Sequence, residues 1–431
     1  MSNQRLGGIH ALLIASFLLT QGPVMAQSAD AVAAVKSLVS GKRYKQIVAD
    51  MDANHQRVVD ENILLQQVPA PSFSEGEKAK LFAKLLRESD SSLEVSIDEA
   101  GNVLALRRGT DSSGDVQAII AHMDTVFGVE TSLEIKREGT RLIAPGILDN
   151  CRGLASILAI VRGMKAANAI TKSSILFVGS VGEEGLGDLK GVKHLFGTGA
   201  YKGRIKLAIA VDSGFPEQIV NVAAGSKRYE VKYRGPGGHS FRAFGTVSPA
   251  FALAEAASLL SKFKTPAGTT YSIGVIGGGT SVNVIPSDAW MQVDMRSSSN
   301  ADLKRLEDDF VAAMKAAAAT ENSVRKGRVE VDIKLIGDRP SGRTESSSRL
   351  VQVALAASVS QGWQPKEYAA STDANIPMSM GIPSITVASG VGNFNHSPRE
   401  YLDIEKSQSL RALQVTLISV LDSAVLTNNN D

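Results

Sequence analysis

Three short apolar runs constrain this chain more than any other feature, because each ends in residues able to bind a metal or carry a proton. Residues 116–121 run into His122, residues 174–180 lead to Glu183 and Glu184, and residues 206–211 run into Asp212. A continuous apolar run of this length reads as a strand buried on both faces. These runs alternate with apolar helical segments such as 154–166. The alternation predicts an α/β fold, a mixed sheet with helices on both faces. In such sheets the loops at the carboxyl ends of strands carry the chemistry, and that is where these residues stand.

The middle of the chain reads differently. Strand-like stretches at 227–234, 271–276, 290–296 and 329–336 enclose helical patterns at 249–263 and 301–319. The order β-α-β-β-α-β predicts a ferredoxin-like α+β unit inserted into the larger domain. The expected division is a first catalytic part over 27–225, an inserted lid or dimerisation domain over 226–337, and a second catalytic part over 338–431. Near the start, residues 45–70 read as one helix ended by Pro69 and Pro71.

Residues 1–26 have the pattern of an export leader: Arg5, an apolar stretch over 9–19, and small residues at 24–26. That stretch is shorter than the roughly 20 residues a membrane span needs. The expectation is a periplasmic or secreted protein with no stable membrane span once the leader is removed. Lys and Arg total 46 against 44 Asp and Glu, a net charge of +2, which offers no electrostatic reason for a nucleic-acid partner. The single Cys151 cannot form an internal disulfide and reads as a packing thiol.

His122 is followed two residues later by Asp124. In extended chain such positions share a face, so Asp124 can orient the imidazole. Asp149 precedes the apolar helix, where a carboxylate suits either a helix cap or a metal. Adjacent Glu183 and Glu184 suit one metal ligand and one proton carrier. His396 is one of only six histidines, and with the carboxylates it completes a donor set that suits zinc, with cobalt or manganese as substitutes.

In order, residues 121–124, 148–150, 181–185, 211–212 and 395–397 resemble the motifs of the dinuclear zinc peptidase family of glutamate carboxypeptidase, peptidase T (tripeptide aminopeptidase), aminoacylase and acetylornithine deacetylase. The resemblance runs from about residue 55 to 420. It implies the zinc exopeptidase fold and two zinc ions per subunit. His122 and Asp212 would hold one, Glu184 and His396 the other, with Asp149 between them. It further implies that Glu183 is the general base and that Asp124 orients His122.

In the inserted unit, residues 235–240 resemble the family's glycine-rich loop, whose histidine, here His239, reaches the substrate and in related dimers acts across the subunit boundary. Asn283 and Arg296 are the other implied substrate contacts, Arg296 through its fork for a carboxylate. Asp373 is a substrate-side or supporting residue, and Phe394 either lines the pocket or packs beneath its loop. The expected function is hydrolysis of short peptides, with an N-acyl-amino-acid deacylase and a silent peptide-binding protein as alternatives. The expected partners are that small substrate and a second copy docked through the lid.

Overall fold

The computed structural model describes residues 27–427; the leader expected over residues 1–26 lies outside the described residues. The central sheet runs in the order Glu94–Ile97, Val103–Arg107, Ser174–Ser180, Val116–His122, Ile205–Asp212, Ser384–Ala388, Gln218–Ala223 and Gly342–Arg343, with Lys366–Ala370 also pairing Gln218–Ala223. The strands at its heart are parallel and those toward its edges largely antiparallel, so the sheet is mixed.

Side-chain alternation explains why the central strands are mostly apolar on both faces. Ile119 and Ala121 join a core shared with the helices Ala29–Ser40, Gly76–Ser89, Cys151–Ala166, Arg349–Ser360 and Lys406–Ser423. Ala118 and Ile120 face the other way, against Leu189, Val192, Leu195 and Phe196 around the helix Lys190–Gly197. Both faces are covered, so both sets of side chains are mainly apolar, and the buried Gln117 amide donates to the Val420 carbonyl.

The start of the chain departs from the single helix expected over 45–70. Two helices, Lys42–Ala53 and His55–Gln66, stand there instead, preceded by the helix Ala29–Ser40. The helix Lys42–Ala53 ends because the Asn54 side-chain amide donates to the Asp50 carbonyl at 2.9 Å, completing the final turn before the next helix begins.

A second sheet, ordered Thr269–Gly278, Asp288–Ser297, Gly225–Arg234 and Glu330–Arg339, is wholly antiparallel. The helices Pro249–Leu260 and Asn300–Val324 cover one of its faces, burying Val231, Tyr233, Met291, Val293 and Met295 among Leu253, Phe310 and Met314. Along Asp288–Ser297 buried and partly exposed residues alternate strictly, so its other face is open. Among the described residues no helix is long and apolar enough to cross a membrane.

Candidate active site

His122 and Asp212 are the last residues of two neighbouring parallel strands, and Ser180, the end of a third, is in register with His122. Three chain ends therefore arrive side by side. Gly182 then turns the backbone at φ +63°, where a Cβ would stand 3.0 Å from Lys190 Cβ. A side chain there would be strained and crowded, and the turn brings Glu183 and Glu184 back over the strand ends.

The five expected ligands converge. His122 Nε2 lies 3.1 Å from Asp149 Oδ1 and 3.5 Å from Asp212 Oδ1. His396 Nε2 lies 2.8 Å from Glu184 Oε1 and 3.3 Å from Asp149 Oδ2. Asp149 thus turns one oxygen toward each of two triads, His122–Asp149–Asp212 and Asp149–Glu184–His396, whose donor atoms lie within 4.8 Å of one another. All are buried except His396, which sits on the exposed rim with a left-handed backbone, φ +60°. A histidine rarely adopts that conformation, and such strain persists where the surroundings impose it.

Two observations test whether a cation suits this cluster. Asp149 Oδ1 is buried without a hydrogen bond of acceptable geometry, although the His122 ring faces it. The crowded carboxylates also draw positive charge onto both rings. Burial pulls His122 down, but the carboxylates of Asp124, Asp149 and Asp212 around the ring outweigh it and hold the imidazole well above its usual range. Hydrogen bonds to Asp149 and Glu184 raise His396 to about 10. Burial pushes Asp149 up, yet its contacts with His122 and His396 keep it well below the ordinary carboxylate range. Anionic oxygens and imidazoles at these separations suit metal cations.

Asp124 does more than the sequence suggested. His122 Nδ1 faces the Asp124 backbone carbonyl at 3.1 Å, with carboxylate Oδ1 farther off at 3.5 Å. An Nδ1–H donated there leaves Nε2 free toward Asp149 and Asp212. The Asp124 carboxylate meanwhile accepts from the backbone amides of Glu183 and Glu184, each at 2.9 Å, and from Ser72 Oγ at 2.7 Å. One buried residue, through its backbone carbonyl and its carboxylate, thereby fixes both the first histidine and the pair of glutamates.

Asp149 is held from behind as well. Glu400 accepts from the amides of Gly146, Leu148 and Asp149, and burial raises its carboxyl to about 7. Asn150, not Asp149, caps the helix Cys151–Ala166, with Oδ1 accepting from the Gly153 amide at 3.1 Å. The cap reading of Asp149 is thus replaced: its neighbour does that work, and Asp149 faces the cluster.

Glu183 is buried, and burial, partly offset by Arg339, raises its carboxyl well above the usual range. Arg339 Nη1 donates to Glu183 Oε1 at 3.0 Å, and Nη2 donates to the Glu183 carbonyl. Sequence reasoning missed Arg339. Its partner lies 156 positions away, and no local pattern marks it. Arg228 was missed for the same reason. It reaches from the second sheet to the Gly185 carbonyl just beyond Glu184, and its Nε lies 2.9 Å from Asp294.

A cavity of about 380 Å³ lies over the cluster, lined by the ligands and by Glu183, Arg228, Arg296, Arg339 and Ser371 among others. Arg296 is therefore beside the cluster, and it is also paired with Asp294 at 2.6 Å. His239 and Asn283 are not in the cavity lining. They sit together on the two-stranded ribbon of Gly238–His239 and Val284–Ile285, both exposed, where the Ser240 amide donates to the Asn283 carbonyl at 3.0 Å. Asp373 stands behind the site, accepting from Ser180 Oγ at 2.5 Å, and burial raises it to about 7. Phe394 does not line the cavity; it lies between the Tyr401 ring, 6.1 Å away, and the Arg399 guanidinium, 4.8 Å away.

Comparison with known proteins shows the family and the fold. The protein YqjE of Bacillus subtilis is 26% identical over 389 residues, covering 85% of this chain and 98% of that one. Acetylornithine deacetylase of Myxococcus xanthus is 26% identical over 331 residues, covering 72% and 82%. The crystal structure of aminopeptidase PepT from Bacillus cereus superposes with a TM-score of 0.67 at 24% identity, covering 85% of this chain and 98% of that one. The model of peptidase family M20/M25/M40 matches residues 118–419, most of the chain. By that match the chain belongs to peptidase family M20/M25/M40 and is a hydrolase acting on amide bonds.

Proposed function

We propose that this chain is an exported, zinc-dependent exopeptidase of short peptides in which Glu183 carries the proton. The observation that bears most weight is Asp149, with one oxygen toward each triad and Glu183 beside them. His122 and Asp212 would hold one zinc, Glu184 and His396 the other, with Asp149 shared. When bound, the metals supply Lewis acidity toward the scissile carbonyl and the attacking water.

The chain's own groups do the rest. Glu183 accepts a proton from the attacking water and delivers it to the leaving nitrogen, so one carboxylate serves both steps. Burial makes its carboxylate a stronger base, and Arg339 offsets part of that while fixing its orientation. Asp124 keeps His122 in the tautomer that presents Nε2 and holds the Glu183 amide.

The cavity volume falls in the range of small-ligand sites, which favours short substrates over folded chains. Apart from the ligands and Glu183, the charged groups lining it are Arg228, Arg296 and Arg339. Arginines suit a free substrate carboxylate, and Arg296 is the proposed contact. That chemistry also favours a second reading, an N-acyl-amino-acid deacylase, to which the likeness to acetylornithine deacetylase adds weight. His239 and Asn283 would complete the site of a second copy docked through the lid ribbon. Export rests on the pattern of residues 1–26 alone.

The test is cleavage by purified mature protein after chelation and zinc re-addition. The panel holds dipeptides, tripeptides blocked at either end, and N-acetyl amino acids, with products identified by mass. Cleavage of unblocked peptides that chelation abolishes and zinc restores supports the proposal. Turnover confined to N-acetyl amino acids favours the deacylase, and no turnover with both metals bound overturns both readings.

A further inference from the structure

Lys78 and Cys151 form a buried pair that amide hydrolysis does not use. Lys78, on the helix Gly76–Ser89, is 1% exposed, and Cys151, which opens the helix Cys151–Ala166, is 2% exposed. Lys78 Nζ faces Cys151 Sγ at 3.6 Å. Lysine is almost never fully buried unless paired with an opposite charge, yet among the described residues Lys78 makes no ion pair with a carboxylate. Packing alone does not explain the amine, since an apolar side chain of that length would fill the space without the cost of desolvating nitrogen. Cys151 is the chain's one cysteine, so no disulfide competes for the sulfur. Both residues also line a small cavity of about 10 Å³, the room one water molecule needs.

We propose that Lys78 and Cys151 are a modification site: the two halves of a covalent nitrogen–sulfur cross-link formed by hydrogen peroxide and reopened by thiols. In the first step Sγ attacks peroxide, the O–O bond breaks, and the thiol becomes a sulfenic acid with release of one water. In the second step Nζ attacks Sγ. The N–S bond forms, the S–O bond breaks, and the departing oxygen leaves as water with a proton from nitrogen. One peroxide is reduced to two waters, and the amine–thiol pair loses two hydrogens and two electrons. The observed separation is close to the roughly 3–3.5 Å of a near-attack arrangement. The cross-link would tie the first turn of one helix to the first residue of the helix that follows Asp149 and Asn150. It requires neither bound metal nor turnover, so its test stands apart from that of the proposed function.

The experiment treats the intact purified protein with hydrogen peroxide, digests it without reductant, and maps the peptides by mass. The expected product joins the Lys78 and Cys151 peptides with a loss of about 2 Da from their sum, and a thiol reductant separates them. Oxidation of exposed Met380 serves as the internal gauge of dose. If Met380 is oxidised while Cys151 remains a thiol, or Cys151 carries only oxygen with Lys78 unlinked, the proposal fails. The result is read on the unsubstituted chain and so does not depend on a variant folding; Cys151→Ser should yield no joined peptide.

Discussion

The cluster at the strand ends and the two-stranded ribbon both carry residues expected at the site, yet they are built in opposite ways. His122, Asp124, Asp149, Glu183 and Glu184 are buried, and each is held by at least one further polar contact. His239 and Asn283 are exposed, beside Phe241 at 85%, Phe244 at 89% and Val282 at 101% relative exposure. Where the chain alone completes a site, supporting contacts fix the first groups in place, and such support is what gives a catalytic group its effect. The ribbon has polar groups and large apolar side chains that nothing within the described residues covers. One region is held together by contacts within the chain, whereas the other leaves its polar and apolar side chains exposed.

Four substitutions sharpen or break that contrast. Glu183→Gln should lower kcat by about 10²–10⁴-fold, the span general acid–base catalysis covers, while elemental analysis still finds both metals. Near-normal turnover would remove Glu183 from the proton path. His239→Ala should cost about 10²-fold in kcat if the ribbon of a second copy stabilises the reacting carbonyl, an effect of the size seen on losing one such donor. An unchanged kcat, with a monomer by light scattering, would reduce the ribbon to a surface turn.

Asp124→Asn should weaken metal affinity or activity by about 10–100-fold, as removal of a ligand's supporting partner does. Wild-type metal affinity and kcat together would show that the Asp124 carbonyl, which the substitution keeps, suffices. The smallest effect belongs to the lid. Ser299 caps the helix Asn300–Val324 by accepting from the Asp302 amide at 3.2 Å, so Ser299→Ala should cost about 1 kcal/mol of lid stability. Denaturant unfolding measures that loss, and metal affinity should stay at the wild-type value. A parallel fall in metal affinity would mean that lid and metal cluster unfold as one unit.

The strand runs, the β-α-β-β-α-β order and the residues that converge at the strand ends were legible because each leaves a local trace. A strand covered on both faces is mostly apolar, and an acid or histidine directly after it stands out. The split of the first helix at Asn54 was not legible, since it turns on one side-chain amide reaching the Asp50 carbonyl. The cap at Asn150 was ambiguous for a similar reason. Asp149 and Asn150 are both good capping types, and only geometry shows which side chain meets the Gly153 amide.

What the sequence determined by itself was the kind of fold and the identity of the chemical groups, because burial pattern and residue chemistry are properties of short segments. Tertiary structure alone decided how those groups serve one another. Asp124 reaches the amides of Glu183 and Glu184, Glu400 reaches the Asp149 loop, and Arg339 meets Glu183 across 156 positions. It also set His239 and Asn283 apart from the cavity that holds Arg296. Such pairings depend on where distant segments pack. Hydrogen bonds and ion pairs act over a few ångströms in space, and spacing along the chain says nothing about distances of that kind.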